Sequence, residues 1–434
     1  MTSPRALLII DPTLKSLDGH SYNYDVSVCN AARGLFSEAI IFADRAFPAT
    51  HQAAPIERVL NHISMDALKK AANSLFHLRR AFGQKTAAPT LRVGNASVLP
   101  EVPAVFLQFA ERLCAFDLAW SLRRIVAKRQ GGLHIFIQHA RIADLLAVEK
   151  IAQRSGKNLH FHLVLRQSPA FTSNSFESVG AFAKRLKKLT EGKVGYIRFY
   201  TDSEPLTKEY REFCTGRDNQ FQTLPIPVLL DDIPQKTFNP AEISIAMLGA
   251  ARIEKGFDAL PEIIAALPRK CDGHTIKLRV QTSSDAADPR VQARSKWLQD
   301  YVAGNGLDRL PIEILAGPAT REIYFSWFAQ SDILLAPYIS SKYVASTSGV
   351  FVEALHFLTP IITVQNTWMA QQIESARAQG LHIGEVVGQL NEIGAKTEII
   401  AGNLTRYRQD MRTYLAYWKS FHSPQTIITM LLKP

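Results

Sequence analysis

Two successive runs of alternating strands and helices constrain this chain more than any other feature. The first opens on the apolar run Leu7 to Ile10, passes Asp18-Gly19-His20, and enters a helix expected from about Tyr22 to Arg33, with Gly34 as its stop. The second opens on Ile243 to Leu248, passes a loop from Gly249 to Gly256, and enters a helix expected over Ala259 to Leu267. Consecutive parallel strands need a long crossover, usually a helix, so this order builds parallel sheets. Further strands are expected at 39–42, 133–138, 159–165 and 194–199 in the first run. In the second they are expected at 277–281, 312–315, 333–336 and 361–364. A chain of 434 residues exceeds one ordinary core and suits two. The expected fold class is α/β, with two Rossmann-like domains facing a cleft. The domains are expected at 1–229 and 240–405, with a helical segment at 406–434 packing back on the first. The stretch 53–103 has no assignable pattern.

Composition narrows the setting. The longest apolar runs are strand-sized, so no membrane span is expected, and no signal-peptide pattern opens the chain. Four scattered cysteines form no CxxC pair, which argues against zinc and a disulfide framework and for a reducing cytoplasm. The formal charge is +11, and it is uneven: from Lys69 to Arg129 there are eleven Lys/Arg against three acids. Such a face suits anionic partners. No zinc-finger, RRM-type or homeodomain pattern accompanies it, so nucleic acid is not the expected one. The helix expected from Val105 to Arg129, with Phe106, Phe109, Leu113, Phe116 and Trp120 and the pairs Arg123-Arg124 and Lys128-Arg129, suits an anionic membrane surface. A solvated basic face, with those hydrophobes in the core, is the alternative.

The chemistry concentrates after two strands of the second run. Gly249-Ala250-Ala251-Arg252-Ile253-Glu254-Lys255-Gly256 places a guanidinium and an ammonium three residues apart at the carboxyl edge of the expected sheet, where they can straddle a diphosphate. The strand at 333–336 runs into Pro337-Tyr338, then Tyr343, Ser346-Thr347-Ser348 and a helix from about Gly349. Thr347 or Ser348 fits the N-cap, and the free amides of the first turn suit a phosphate. Glu353 lies one turn in, among Val350, Phe351, Val352, Ala354 and Leu355. A carboxylate there needs hydrogen-bond partners, which ribose hydroxyls would supply; an exposed helix glutamate is the plainer reading.

Together these pieces resemble the C-terminal domain of GT-B glycosyltransferases of family 4, also called group 1. The residues carrying the resemblance are Leu248-Gly249, Arg252, Lys255-Gly256, Ser331-Asp332 through Pro337-Tyr338, Ser348-Gly349 through Glu353-Ala354-Leu355, and Pro360-Ile361-Ile362. The resemblance implies that Arg252 and Lys255 hold the donor diphosphate, that the Ser348-Gly349 amides take a phosphate, and that Glu353 holds the ribose. Eight residues before Glu353, where the family commonly has a second glutamate, this chain has Ala345, so sugar recognition must differ and could involve Tyr343 or Ser346; Tyr338 and Thr347 are further donor-binding candidates. The first half resembles the family's acceptor domain more loosely. Gly19 and His20 lie in the first strand-to-helix loop, His139 follows the strand at 133–138, and Arg141 and Arg166 follow strands at the same edge.

The implied activity is a retaining, metal-independent sugar transfer from a nucleoside diphosphate sugar to a hydroxyl. His139, Arg252 and Lys255 are its catalytic candidates. His20, Arg141 and Arg166 are its acceptor-side candidates, and Gly19 joins the donor side. The expected acceptor is a saccharide or lipid-linked saccharide, as in bacterial-type surface polysaccharide assembly, reached by a cytoplasmic protein peripheral on the inner face of the membrane. The donor is a co-substrate, and no cofactor or metal is expected. The alternative is a degenerate GT-B protein that binds nucleotide or carbohydrate without turnover.

Overall fold

A computed structural model describes residues 5–15, 20–48, 54–60, 104–152, 158–173, 178–191, 196–214, 220–227, 233–283, 288–304, 309–317 and 319–433. The chain divides into two compact units. One comprises Met1–Leu17, Asp25–Leu224 and Ile427–Pro434; the other comprises Asp18–Tyr24 and Pro225–Thr426.

The first unit is built on a parallel sheet in the order β3-β2-β1-β4-β5-β6-β7. Its strands are β1 (Arg5–Asp11), β2 (Glu38–Asp44), β3 (Ile56–Leu60), β4 (Gly132–Ile137), β5 (Leu159–Val164), β6 (Tyr196–Thr201) and β7 (Phe221–Thr223). Leu7, Leu8, Ile9 and Ile10 of β1 are fully buried. Such an unbroken apolar run is what a strand covered on both faces requires. The second unit repeats the plan with β8 (Glu242–Met247), β9 (Lys270–Cys271), β10 (His274–Gln281), β11 (Ile312–Leu315), β12 (Ile333–Ala336), β13 (Ile361–Val364) and β14 (Gly384–Val387). Its order is β11-β10-β8-β12-β13-β14, with β9 antiparallel to β10.

Renumbered within each unit with β9 left out, the first sheet reads 3-2-1-4-5-6-7 and the second 3-2-1-4-5-6, the doubly wound order in both. Such sheets bind ligands beyond the strands' carboxyl ends, where the order reverses. That rule points to the β1/β4 edge in one unit and to the β8/β12 edge in the other, before any side chain is considered.

Several expectations shift. The helix expected over Ala259 to Leu267 is shorter, Leu260–Ala266, because two 3₁₀ turns, Ile253–Lys255 and Phe257–Ala259, take up the loop before it. Of the unassigned stretch, 56–60 is β3, and 61–103 lies outside the described residues. The segment expected at 406–434 divides. Helix Leu404–Phe421 belongs to the second unit, where Trp418 sits 6.2 Å from Phe351 and 6.1 Å from Trp368, ring to ring. Only Ile427–Pro434 belongs to the first, where Arg198 Nη1 donates to the Lys433 carbonyl. The basic helix, Ala104–Ala127, buries Leu118, Leu122 and Ile125 and leaves Leu113, Phe116 and Trp120 exposed, the reverse of a core role for those three. Arg129 leaves the expected basic patch, because Glu38 accepts from both its Nε and Nη2.

A buried imidazole stack crosses the first sheet. His134 Nδ1 lies 3.0 Å from His162 Nε2, whose Nδ1 lies 3.2 Å from the Tyr200 hydroxyl, and His160 stacks between His134 and Tyr196. Desolvation, then the neighbouring His160, Arg5 and Arg198, push His134 down to about 4; desolvation pushes His162 well below its ordinary range. The unfolded chain titrates near 6.5 and so binds more protons between these values, which makes stability rise with pH across that window. Lowering the pH from 7.5 to 5 is therefore expected to cost about 2 kcal/mol per buried imidazole. Urea midpoints measured at both pH values check this; a His162→Phe variant with undiminished acid sensitivity would contradict it.

Candidate functional site

The β8/β12 edge gathers most of the residues singled out from sequence. After β8 the chain turns at Gly249, whose positive φ of 94° suits glycine. Its amide donates to Gln281 Oε1 at 2.8 Å, and Gln281 Nε2 donates to Ser283 Oγ at 2.8 Å, so the end of β10 fixes the start of the loop. The loop closes at Gly256, also at positive φ, where an added Cβ would lie 2.3 Å from the Pro337 carbonyl oxygen. Glycine at this position lets the loop lie directly on the exit of β12. The Ile339 amide, donating to the Glu254 carbonyl at 3.0 Å, ties the same two segments.

This clamp brings the cations to the second motif. A Cβ on Gly249 would meet Lys255 Nζ at 2.9 Å and Val350 Cγ2 at 3.1 Å, so the ammonium, the strand end and the first turn of helix Gly349–His356 converge. Lys255 Nζ is 5.8 Å from the Tyr338 ring centroid, and Arg252 is exposed at the start of the 3₁₀ turn. Ser348, not Thr347, is the cap: its Oγ accepts from the Phe351 amide at 3.4 Å. Thr347, Ser346 and Gly349 are half-buried beside it, and Ala345 is buried.

Glu353 is buried rather than an exposed helix residue, at 4% exposure. The Tyr324 hydroxyl donates to its Oε2 at 2.7 Å. Burial and then the Glu353 charge push the Tyr324 phenol well above its ordinary range, so it stays a donor at any working pH. Sequence reasoning missed Tyr324: within Tyr324-Phe325-Ser326-Trp327-Phe328 it reads as one more core aromatic. Tyr338 is buried against Tyr343, ring centroids 4.5 Å apart, and its hydroxyl makes no hydrogen bond of ordinary geometry among the described residues. Burial pushes the Tyr343 phenol up to about 12, Glu254 adding to the rise and Arg252 opposing it, which places Tyr343 beside the cationic loop.

The β1/β4 edge holds the first unit's candidates. Asp11, at the end of β1, accepts from the Thr13 amide and hydroxyl through Oδ1 and from Gln138 Nε2 through Oδ2 at 2.8 Å. Arg166 donates from Nε to the Gln138 carbonyl at 2.8 Å and lies 3.9 Å from Asp202. Arg141 takes Asp144 as its partner, 3.6 Å away. Both arginines thus brace this edge. Asp25, fully buried behind Asp11, is pushed well above the carboxylate range by desolvation and then by Asp11.

His139 is exposed at the same edge. Crowding by surrounding protein, then the Arg166 and Arg141 cations, push its imidazole down; with the ring exposed, the cations are the firmer cause, and the ring is neutral at pH 7. Gly19 lies outside the described residues, and His20 opens helix His20–Ala32 with its side chain outside them too. Burial pushes the Cys29, Cys114 and Cys214 thiols up to about 11, which leaves them protonated.

No family model matches the chain, and no curated protein matches it. Solved structures do. Trehalose-6-phosphate synthase OtsA superposes with a TM-score of 0.68 at 13% identity, covering 99% of each chain. Sucrose-phosphate synthase from Thermosynechococcus elongatus has a TM-score of 0.60 at 13% identity, covering 98% of this chain and 97% of its own. WaaG, a glycosyltransferase involved in lipopolysaccharide biosynthesis, has a TM-score of 0.56 at 16% identity, covering 99% of this chain and 100% of its own. Likeness over the full length of both chains, with two doubly wound sheets, establishes the architecture: the chain has the GT-B fold.

Proposed function

We propose that this protein is a glycosyltransferase that moves a sugar from a nucleoside diphosphate sugar to a hydroxyl on a saccharide or lipid-linked saccharide. The observation that carries this reading is the convergence at the β8/β12 edge. Lys255, the exposed Arg252 and the amide end of helix Gly349–His356 form a diphosphate cradle. The buried Glu353 lies on the same helix, about 6 Å further along its axis, the spacing of a ribose from its phosphates. As the glycosidic bond breaks, negative charge develops on the leaving diphosphate. Arg252, Lys255 and the amides stabilise it without reorganising.

His139, neutral at pH 7, is suited to donating or accepting a hydrogen bond rather than carrying charge. Its place at the β1/β4 edge supports an acceptor-side role, with Arg141 and Arg166 fixing the wall behind it. Retention of configuration follows the family resemblance. The fixed cations do the work a metal does elsewhere, so turnover is expected to survive excess EDTA.

Ala345 favours a second reading, a protein that binds nucleotide sugar without consuming it. One experiment separates the two. Thermal shift against UDP-, GDP-, ADP- and dTDP-sugars is followed by assay of nucleoside diphosphate release. One of the neighbouring solved structures is of an E. coli protein bound with UDP-2-fluoro glucose, which makes the uridine donors the first to try. A donor at about one hundred times its dissociation constant adds about 2.7 kcal/mol to stability. Stabilisation with release supports the transferase, stabilisation without release supports the binder, and a flat response across the panel refutes both.

Among the described residues no helix is long and apolar enough to cross a membrane. Peripheral attachment of a cytoplasmic enzyme is the reading that fits Arg123, Arg124 and Lys128 beside the exposed Leu113, Phe116 and Trp120. Each surface cation near an anionic leaflet adds about 1 kcal/mol. Replacing Arg123, Arg124 and Lys128 by glutamine should abolish flotation with anionic liposomes; unchanged flotation would end the membrane reading.

A further inference from the structure

A second cluster of basic groups lies in the second unit away from the donor loop, around a cavity of about 160 Å³. Lys236 and Phe238 approach from the segment before β8, His356 from the end of helix Gly349–His356, and Arg408 and Arg412 from helix Leu404–Phe421. The nearby carboxylate, Asp332, is already engaged. Its Oδ1 accepts from Arg408 Nη2 at 2.7 Å and its Oδ2 from the Ser244 amide at 2.9 Å. Lys236 Nζ donates to Thr359 Oγ1 at 2.6 Å, and among the described residues neither Lys236 nor Arg412 has a carboxylate partner.

Two buried polar atoms here lack hydrogen-bond partners among the described residues. One is Arg408 Nε. The other is Nε2 of His356, a residue only 8% exposed. The opposite nitrogen, His356 Nδ1, lies 2.9 Å from the Val352 carbonyl, which can only accept. The proton is therefore on Nδ1, and Nε2 presents a lone pair that asks for a donor. Cations beside a helix C-terminus are favourable in themselves. That accounts for the charge, but not for orphaned polar atoms on two residues that line a cavity.

We propose that this cavity is a second anion site, which takes inorganic phosphate or a small phosphorylated polyol. The phosphate oxygens sit on Lys236, Arg408 and Arg412, and a ligand hydroxyl donates to His356 Nε2. The cavity's size admits a phosphate and a few further heavy atoms. The inference does not depend on the donor reading. Burial, then Arg408, push the Lys236 ammonium down to about 7, so an anion beside it binds with proton uptake and loosens as the pH rises past 7.

The test uses the full chain carrying Arg252→Ala and Lys255→Ala, which removes the other cationic loop. Calorimetric titration at pH 6.5 is run with inorganic phosphate, glycerol phosphate and glycerol. Saturable binding of the phosphates but not glycerol is expected, weakened at least about tenfold by Lys236→Met with Arg412→Gln and by raising the pH to 8.5. Glycerol phosphate binding more tightly than phosphate assigns the site to the polyol ester; equal binding assigns it to the free ion. Arg412→Gln alone, at an exposed residue, keeps the test open should Lys236→Met unfold. No saturable binding, equal binding of glycerol, or binding indifferent to these substitutions would overturn the proposal.

Discussion

With Arg252→Ala and Lys255→Ala together, kcat/KM for the preferred nucleoside diphosphate sugar is expected to fall about a thousandfold or more. The size follows from the role proposed for the two cations. In the ground state the donor diphosphate already carries charge, but the bond that breaks adds more to the leaving oxygen. Groups fixed beside that oxygen gain strength only as it leaves. Removing one preorganised donor of this kind typically costs about 10²–10³ in kcat, and two act on the same charge here. The loss should therefore fall chiefly on kcat, with a smaller rise in KM. Glu353→Gln should behave differently. It removes charge from the proposed ribose contact, which ground state and transition state share, so KM rises while kcat holds. The buried Tyr324 hydroxyl keeps a carbonyl oxygen to donate to, so the helix should stand. Initial rates on the three proteins give the comparison. A double variant within tenfold of the parent kcat/KM would remove Arg252 and Lys255 from the reaction.

The two sheets were legible because periodicity reports burial directly. Leu7 to Ile10 and Ile333 to Ala336 are apolar on both sides, and only a covered parallel strand uses such a run. The strand ends, and so the positions of Arg252, Lys255 and Ser348, followed from that. Side-chain contacts across the sheet did not follow. Nothing in the sequence marks Gln281 as the residue that fixes Gly249, since the two lie 32 residues apart and meet only because β8 pairs with β10. Tyr324 was hidden for the same reason. Its hydroxyl matters only once helix Arg321–Ala329 is laid beside Glu353. The basic helix stayed open between two readings because both of its faces carry large hydrophobes. Composition cannot tell which stripe, Phe116 and Trp120 or Leu118 and Leu122, meets the core. The first unit's candidate site is the least legible part: its carboxyl pair, Asp11 and Asp25, lies 14 residues apart, one at the end of β1 and the other inside helix His20–Ala32.

Replacing Gly256 by alanine is expected to destabilise the protein by about 2–5 kcal/mol, far more than the same change at Gly273. The two glycines have nearly equal φ, 79° and 83°, so the backbone cost of a left-handed alanine, about 1–2 kcal/mol, is common to both. Their surroundings differ. At Gly273 an added Cβ meets nothing within 4 Å, whereas at Gly256 it meets the Pro337 carbonyl oxygen at 2.3 Å and Pro337 Cγ at 2.7 Å. A carbonyl in the chain leaving β12 cannot swing aside as a flexible side chain can, so the loop itself must lift, at about 1–3 kcal/mol more. Lifting it withdraws Lys255 from Tyr338 and from the first turn of helix Gly349–His356. A displacement of only 1 Å at a charge that must meet the leaving group costs about a hundredfold in rate. Gly256→Ala should therefore lose activity at temperatures where it is still folded, while Gly273→Ala loses stability alone. Urea denaturation paired with initial rates separates these effects. Equal destabilisation of the two variants would show that the loop does not rest on Pro337. Full activity in folded Gly256→Ala would show that the position of Lys255 does not govern transfer.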